Sequence, residues 1–262
     1  MDYIAINRNS WNNKVPYHLQ SKMYDLEGFI AGKSSLMEIE LGLLGDITGK
    51  KILHLQCHFG LDSMSLSRMG AFVTGVDFSD VAITEAKKLA TSIGVDTQFI
   101  CCDIYSLPTS LIDKFDIVYT SYGTIGWLPD LQKWGSIIAH FLKPEGKFVF
   151  VEFHPVLWMF DDKIDKIGYN YFNDGPIVET FSGTYADKKA PLNQQYVNWN
   201  HGTSEVLNSI IQNGLEIHSF DEYDFSPYDI LHNSIEIAPN RFQAEHIGNK
   251  IPLVFSITAQ KK

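Results

Sequence analysis

Apolar positions along this chain alternate between the spacing of buried strands and the spacing of helices. Apolar residues recur every three or four positions over 79–93 and 131–142, and Ser79 can cap the first of these helices while Gly94 can end it. A later helix begins at Thr203. The predicted strands lie at 50–55, 71–77, 97–103, 115–121, 147–153, 215–223 and 252–260. Strands that alternate with helices predict an α/β fold around a mostly parallel sheet with right-handed crossovers.

Two regions fall outside this alternation. The first 45 residues show helical spacings without a strand pattern, and we expect them to cap the sheet. The segment 155–202 holds nine aromatic residues, and we expect a short antiparallel excursion that covers the strand ends. At 262 residues the chain suits one large domain. We divide it into an N-terminal helical cap, a ligand-binding core, an insertion or lid, and a C-terminal part that completes the sheet: 1–45, 46–154, 155–202 and 203–262.

Charge and cysteine content narrow the class of protein. The chain carries 31 acidic and 21 basic residues, a formal charge of −10, and its lysines are scattered without a long basic stripe. Nucleic acid and anionic membranes are therefore poor partners. Only three cysteines are present, no apolar run approaches the ~20 residues that span a bilayer, and no N-terminal signal pattern is found. We therefore expect a cytoplasmic protein.

The stretch Lys50–Gly60, KKILHLQCHFG, precedes a helical pattern and a second apolar run that ends in Asp77. This arrangement is one βαβ half of a nucleotide-binding sheet. Because the carboxyl ends of parallel strands share one edge, Gly60, Asp77, Asp103 and Ser121 should converge on one crevice. A dinucleotide needs G-x-G-x-x-G, whereas this turn offers one glycine. An NAD-dependent oxidoreductase is therefore the least favoured alternative.

On these residues the chain resembles the class I S-adenosylmethionine-dependent methyltransferases, whose first strand and turn read approximately hhDhGCGxG. The resemblance covers about residues 45–153 and implies a Rossmann-like, doubly wound seven-stranded sheet. It also implies S-adenosyl-L-methionine as cofactor and S-adenosyl-L-homocysteine as product, with the ribose at Asp77 and the adenine near Asp103. The cofactor-binding residues that it implies are His54, Gln56, Cys57, His58, Gly60, Asp77, Phe78, Ser79, Asp103, Ile104, Ser121, Tyr122 and Gly123.

Three residues of the turn depart from the family pattern. His54 stands where the family has an acid that helps to orient the methionine ammonium, and Gln56 and His58 replace glycines. Each non-glycine residue with positive φ would cost about 1 kcal/mol or more. We hypothesise that the Gln56 amide oxygen or a backbone carbonyl receives the ammonium group instead. Cys57 is more typical of a small buried residue than of a nucleophile or metal ligand, and capping the next turn is the alternative role for Asp77.

Methyl transfer from a sulfonium requires the protein to align the acceptor and, for an oxygen or nitrogen acceptor, to remove a proton. Glu152 and His154 lie at the end of the fifth strand, and His201 follows the aromatic segment. These three are the predicted catalytic residues. His18 and Tyr24 in the N-terminal cap are weaker candidates, and a structural role is the alternative for each histidine.

After the fourth strand the chain reads SYGTIGW, without the Asn/Asp-Pro-Pro-aromatic signature typical of enzymes that methylate planar amide or adenine nitrogens. This favours a small-molecule acceptor, to which the methyl group passes by in-line displacement. A non-catalytic or repurposed S-adenosylmethionine-binding protein is the alternative. An aromatic lid would suit an apolar or cationic acceptor, unless its residues form a separate core or a homodimer contact: Trp158, Tyr169, Tyr171, Phe172 and Trp199.

Overall fold

A seven-stranded sheet with helices on both faces organises the chain, in a computed structural model that describes residues 1–262. The helices are α1 (Tyr3–Gln20), α2 (Leu26–Ile30), α3 (Glu38–Leu44), α4 (Leu61–Arg68), α5 (Asp80–Ile93), α6 (Leu131–Phe141) and α7 (Thr203–Ile211). The strands are β1 (Lys51–Leu55), β2 (Phe72–Asp77), β3 (Gln98–Cys101), β4 (Phe115–Ser121), β5 (Leu142–Phe153), β6 (Ile177–Ser182), β7 (Asn193–Asn198), β8 (Leu215–Tyr223), β9 (Ser234–Ala238), β10 (Arg241–Ala244) and β11 (Val254–Lys261). None of the helices combines the length and the apolar character that crossing a bilayer requires.

The order of strands in the sheet is β3-β2-β1-β4-β5-β11-β8. Strands β1 to β5 run parallel to one another, and β11 lies antiparallel between β5 and β8. The order reverses between β1 and β4, and open α/β sheets bind ligands beyond the carboxyl ends of their strands at such a point. The predicted doubly wound, mostly parallel seven-stranded sheet is confirmed.

Side chains of β1 alternate between two cores because successive residues of a strand point to opposite faces. Leu53 and Leu55 belong to the larger core, which also contains Trp134 of α6. Ile52 lies on the opposite face in a second core with Tyr119 of β4. All four β1 residues from 52 to 55 are buried. The central strand is therefore covered on both sides, which fixes the position of the turn that follows it.

Two small sheets lie outside the main one. Strands β6 and β7 pair antiparallel, in the segment where we predicted an antiparallel excursion. Strands β9 and β10 form a second antiparallel pair that the sequence did not reveal. Its residues alternate weakly, and Ile235 and Ile237 stay exposed, so the hydrophobic pattern carried little signal. The fifth strand also begins at Leu142, five residues before its predicted start at 147.

Helix α1 covers the carboxyl ends of the strands with a largely polar face. Its buried residues include Asn7, Ser10, Lys14 and His18, whereas Val15 is the apolar one. The Asn7 amide donates to the Val197 carbonyl at 2.7 Å and accepts from the Val197 N–H at 2.8 Å. Asn7 thus satisfies the free edge of β7 as a neighbouring strand would. The cap and the β6–β7 sheet are joined through this contact.

Glycine at position 60 is required for two reasons. Gly60 has φ of 78°, and a Cβ there would overlap the Phe99 ring of β3. Gly94, at the predicted end of α5, has a similar φ of 68° but no atom within 4 Å of a Cβ. Substitutions at these two glycines therefore distinguish the cost of a positive φ from the cost of steric overlap.

We predict that Gly60→Ala lowers the free energy of unfolding by about 2–5 kcal/mol, since both positive φ and overpacking oppose it. Gly94→Ala, the matched control, should lose only about 1 kcal/mol. Urea unfolding followed by circular dichroism measures both. Equal losses for the two variants would contradict the overlap at Phe99.

Candidate functional site

The turn after β1 keeps the backbone shape that glycines normally allow. Gln56 and His58 have φ of 55° and 51°, in the left-handed region, and Gly60 follows with 78°. The Cys57 N–H donates to the Val76 carbonyl at 2.9 Å, and the Gly60 N–H donates to the Cys57 carbonyl at 2.9 Å. These bonds hold the turn against β2. The two non-glycine residues thus carry the backbone strain that the sequence suggested.

Asp77, at the end of β2, is the anchor of this turn. Its carboxylate accepts the His58 N–H at 2.9 Å and the Ser79 N–H at 2.8 Å. Burial raises the pKa of Asp77 to about 6, and the N–H bonds oppose that rise. The capping role that we considered for Asp77 is therefore present, and the same residue also lines a cavity.

The cavity lies at the point where the strand order reverses. Five of the residues that we predicted to bind a cofactor line it together: Gln56, Asp77, Phe78, Asp103 and Ile104. Trp127 of the stretch after β4 also lines the cavity, and the sequence did not identify Tyr3 and Asn7 of α1 on its other side. Its volume is only ≈ 40 Å³. Pockets that bind small molecules measure about 300–1,000 Å³, so α1 closes this one tightly.

Gln56 presents an unsatisfied acceptor in this region. Its Nε2 donates to the Thr124 carbonyl at 2.8 Å, which fixes the orientation of the amide. Its Oε1 is buried and has no hydrogen-bond partner. A buried acceptor without a donor is costly unless a ligand or water supplies one. Gln56 is therefore suited to receive a donor such as an ammonium group.

Four other predicted cofactor residues support the turn without lining the cavity. His54 is buried beside Tyr119, with Nδ1 2.8 Å from the Ser63 hydroxyl, and burial lowers the pKa of this histidine to about 3. Cys57 is buried, which raises the pKa of its thiol. The Ser79 hydroxyl caps α5 by accepting the Ala82 N–H. Gly60 allows α4 to begin against Phe99, as described above.

The remaining predicted residues lie after β4 or on the turn itself. The Tyr122 hydroxyl donates to Glu40 at 2.8 Å, and the Gly123 N–H donates to Glu152. Ser121 ends β4 and is half-buried. The His58 ring turns away from the cavity toward α1. None of these four side chains lines the cavity, and their roles toward a cofactor stay predictions.

Glu152 is held in a way that does not suit a general base. Its carboxylate accepts the backbone N–H groups of Gly123, Thr124, Ile125 and Phe153, as well as the Thr124 hydroxyl. These five donors occupy the lone pairs that a proton would need. The catalytic role that we predicted for Glu152 is corrected to that of a clamp that shapes the loop after β4.

His154 and His201 also lie outside the cavity. His154 is buried with Nε2 2.8 Å from Glu222 of β8, and its Nδ1 accepts the Val156 N–H at 3.1 Å. His201 is buried with Nε2 2.8 Å from the Leu128 carbonyl and Nδ1 3.0 Å from Glu205. In each ring one nitrogen is hydrogen-bonded to the backbone, and the other lies next to a glutamate oxygen without a hydrogen bond to it. This arrangement is typical of the structural alternative. The sequence placed these residues near strand ends but could not show where their rings point.

The aromatic lid is also different from the expected one. Trp158 and Phe172 are 43% and 69% exposed, so they do not enclose a ligand. Trp199 is buried against Tyr3 of α1, with ring centroids 5.1 Å apart. Helix α1, whose polar residues gave no amphipathic signal, provides the cover instead.

A buried acid beside the loop after β4 was not found from the sequence. Glu40 of α3 is completely buried, and its carboxylate accepts the Met37 N–H at 2.7 Å and the Tyr122 hydroxyl at 2.8 Å. Burial, followed by the negative charge of Asp62, raises the pKa of Glu40 to about 7. Glu40 ties the N-terminal cap to the loop.

The central segment of the chain is similar in sequence to known methyltransferases. Residues 52–146 match a family model described as a methyltransferase domain. The ubiquinone biosynthesis O-methyltransferase of Coxiella burnetii (strain RSA 493 / Nine Mile phase I) is 36% identical over 104 residues, which cover 40% of this chain and 44% of the relative. The chain spans about half the length of the curated relatives it matches.

Solved structures agree over a larger part of the chain. An S-adenosylmethionine-dependent methyltransferase from Mesorhizobium loti superposes with a TM-score of 0.61 at 23% identity, over 88% of this chain and 100% of that one. The magnesium protoporphyrin IX methyltransferase of Synechocystis, solved with bound S-adenosylmethionine, gives 0.55 at 12% identity, over 100% of this chain and 98% of that one. At these identities the similarity shows the fold.

We predict that Glu40→Gln changes how stability depends on pH. A carboxyl whose pKa is raised from 4.5 to about 7 in the folded state stays protonated there after the unfolded chain has lost its proton. Its contribution to the unfolding free energy therefore falls as pH rises through this window, by about 3 kcal/mol at most. The variant lacks this fall, so its stability relative to the natural protein should rise between about pH 4.5 and pH 7.

Urea unfolding at a series of pH values measures this difference, with the exposed Glu27→Gln as matched control. A pH-independent difference between Glu40→Gln and the natural protein would show that Glu40 is not protonated on folding.

Proposed function

Because residues 52–146 match a methyltransferase-domain family, we propose that this protein is a class I methyltransferase that transfers the methyl group of S-adenosyl-L-methionine to a small-molecule acceptor. One observation carries the proposal. Gln56, Asp77 and Asp103 follow three neighbouring strands, and the chain folds so that all three line one cavity at the reversal of strand order.

The groups around the cavity suit the three parts of this cofactor. Asp77 offers a buried carboxylate to ribose hydroxyls, and Asp103 with Ile104 would border the adenine. The unpartnered Gln56 Oε1 would receive the ammonium of the amino-acid part. When bound, the cofactor supplies a methyl group on a positively charged sulfur, so the protein's tasks are to align the acceptor and exclude water.

Helix α1 would have to move for the cofactor to enter. The cavity of ≈ 40 Å³ is closed by Tyr3 and Asn7, which sit on the first two turns of the helix. Besides the packing of Tyr3 on Trp199, the contacts that hold this end of α1 are polar, such as the Arg8 bond to the Phe78 carbonyl at 3.1 Å. Closure of α1 over the bound cofactor would then shield the sulfonium from water.

Several observations support a small-molecule acceptor. The site is enclosed, and the chain carries a formal charge of −10, which disfavours a nucleic-acid substrate. The names of the curated relatives favour oxygen as the acceptor atom. A cofactor-binding protein without transfer activity is the second candidate, because the turn departs from the family pattern and the cavity is tightly closed. A cytoplasmic location remains a prediction of the sequence.

Thermal unfolding with candidate ligands tests the proposal. S-adenosylmethionine and S-adenosylhomocysteine should each raise the melting temperature, whereas NAD should not, since only a ligand that binds the folded state stabilises it. Stabilisation by NAD alone would contradict the proposal. Incubation with methyl-labelled cofactor and a metabolite extract then separates enzyme from binder. Cofactor binding without any labelled product would favour the binder.

We predict that Gln56→Ala weakens S-adenosylhomocysteine binding by about tenfold to a hundredfold, the effect of losing one charged hydrogen bond. The binding of 5′-methylthioadenosine, which lacks the amino-acid group, should change little. Isothermal titration calorimetry measures both, with Gln132→Ala on the exposed side of α6 as matched control. Equal weakening of both ligands would assign Gln56 a role in the turn alone.

A further inference from the structure

A second polar group lies beside the cavity, outside its lining. Helix α1 presents Trp11, Lys14 and His18 toward the His58 ring of the turn. His18 is completely buried, and its Nδ1 lies 2.9 Å from His58 Nε2. The Trp11 ring contacts the His58 ring, with centroids 5.2 Å apart, and the Trp127 ring at 5.3 Å. Because Trp127 also lines the cavity, its ring lies between this group and the proposed cofactor site.

The two histidines form a neutral pair with complementary outer atoms. Burial lowers the pKa of His18 to about 3 and that of His58 well below its usual value, and the charge of Lys14 adds to both shifts. In a neutral pair one proton lies between the rings, so one outer nitrogen carries a proton and the other a free lone pair. Those outer atoms, His18 Nε2 and His58 Nδ1, are both buried without a hydrogen-bond partner.

Lys14 is a buried cation without an anion. It is 6% exposed and makes no hydrogen bond or ion pair with the protein. The rings of Trp11, Trp127 and Tyr196 surround its ammonium group at 4.7, 5.4 and 5.8 Å. Burial lowers the pKa of Lys14 to about 8. A cation in such a place is stabilised when an oxyanion binds next to it.

Two tyrosines pack on the far side of His18 and complete this aromatic cluster. The ring of Tyr24 stacks on His18 at 5.3 Å, and Tyr185 lies 4.7 Å from the same ring. The hydroxyls of Tyr24 and Tyr185 are hydrogen-bonded to each other. Aromatic walls around a lysine and two imidazoles suit a flat molecule that carries a proton-donating oxygen.

We propose that Lys14, His18 and His58 form the acceptor site, and that the acceptor is a phenol or enol, whose hydroxyl is acidic enough to ionise beside the Lys14 ammonium group. This inference rests on the proposed function. An amine acceptor is disfavoured, since its cationic form would be repelled by Lys14. The cationic acceptor that the aromatic segment suggested is thereby replaced by an acidic hydroxyl.

The chemical step balances with these groups, the sulfonium cofactor and solvent water. The acceptor O–H bond breaks, and its proton passes to water as the oxyanion binds beside Lys14. The outer nitrogen of the histidine pair that carries a proton donates a hydrogen bond to this oxyanion. The acceptor oxygen forms a bond to the methyl carbon, the carbon–sulfur bond breaks, and its electron pair stays on sulfur. Lys14 stabilises the oxyanion until the methyl group arrives.

The probe is 4-nitrophenol, because its ionised form absorbs visible light. In the presence of S-adenosylhomocysteine, the protein should bind it as the phenolate at a pH below the pKa of the free phenol. Lys14→Met should raise its dissociation constant by about tenfold to a hundredfold and abolish the ionised signal, whereas Lys14→Arg keeps the charge and should retain it. His18→Asn and His58→Asn should each reduce the signal.

Exposed Lys22→Met and His218→Gln are the matched controls and should bind as the natural protein does. Melting temperatures with S-adenosylhomocysteine show that each variant is folded and holds the cofactor product. Binding of the neutral phenol only, no binding, or equal binding by Lys14→Met would overturn the acceptor site. So would a Lys14→Met variant that loses affinity for S-adenosylhomocysteine but not for 5′-methylthioadenosine, because Lys14 would then hold the cofactor carboxylate. Failure of the natural protein to bind S-adenosylhomocysteine refutes the proposed function itself.

Discussion

The buried carboxylate of Asp77 is the interaction on which the site depends. An ionised carboxylate loses much solvation when it is buried, and here two backbone N–H groups, from His58 and Ser79, compensate for part of that loss. The first bond holds the turn after β1 in its left-handed conformation, and the second sets the beginning of α5. Because the turn is fixed, the His58 ring points toward α1 and meets His18. One charge at the end of β2 thus organises the turn, a helix and the N-terminal cap.

Helix α1 is part of the site as well as its cover. Its buried face is polar because it lies over polar groups, and three of its polar residues have distinct contacts. Asn7 completes the edge of β7, His18 bonds to His58, and Lys14 lies among aromatic rings. An apolar face would have packed the helix more firmly, but it would have left the acceptors and donors of the turn without partners. A polar face also costs less to detach, which is consistent with an element that has to open for a cofactor to enter.

The order of strands and helices was predictable because it depends on local rules. Hydrophobic spacing identified the seven strands of the main sheet, and Ser79 and Gly94 marked the ends of α5 as expected. The β9–β10 pair was not predicted from the sequence because it buries little apolar surface. Position at a strand end correctly placed Asp77 and Asp103 at the cavity. It did not show where the side chains of Glu152, His154 and His201 point, and these side chains contact nearby backbone groups and acids.

The sequence by itself determined the fold class, the turn after β1 and the residues that border the cavity from the strand ends. These features depend on the spacing of residues along the chain, and that spacing can be read from the sequence alone. Only the tertiary structure decided that α1 closes the cavity, that Glu152 clamps a loop, and that His18, His58 and Lys14 come together. The hydrogen bonds of α1 and of Glu152 to the loop after β4 join residues 27 to 190 positions apart and depend on the direction of each side chain. The hydrophobic periodicity of the sequence does not give the direction of a polar side chain. That direction depends on which donors, acceptors and charges still need a partner when helices and sheet pack together.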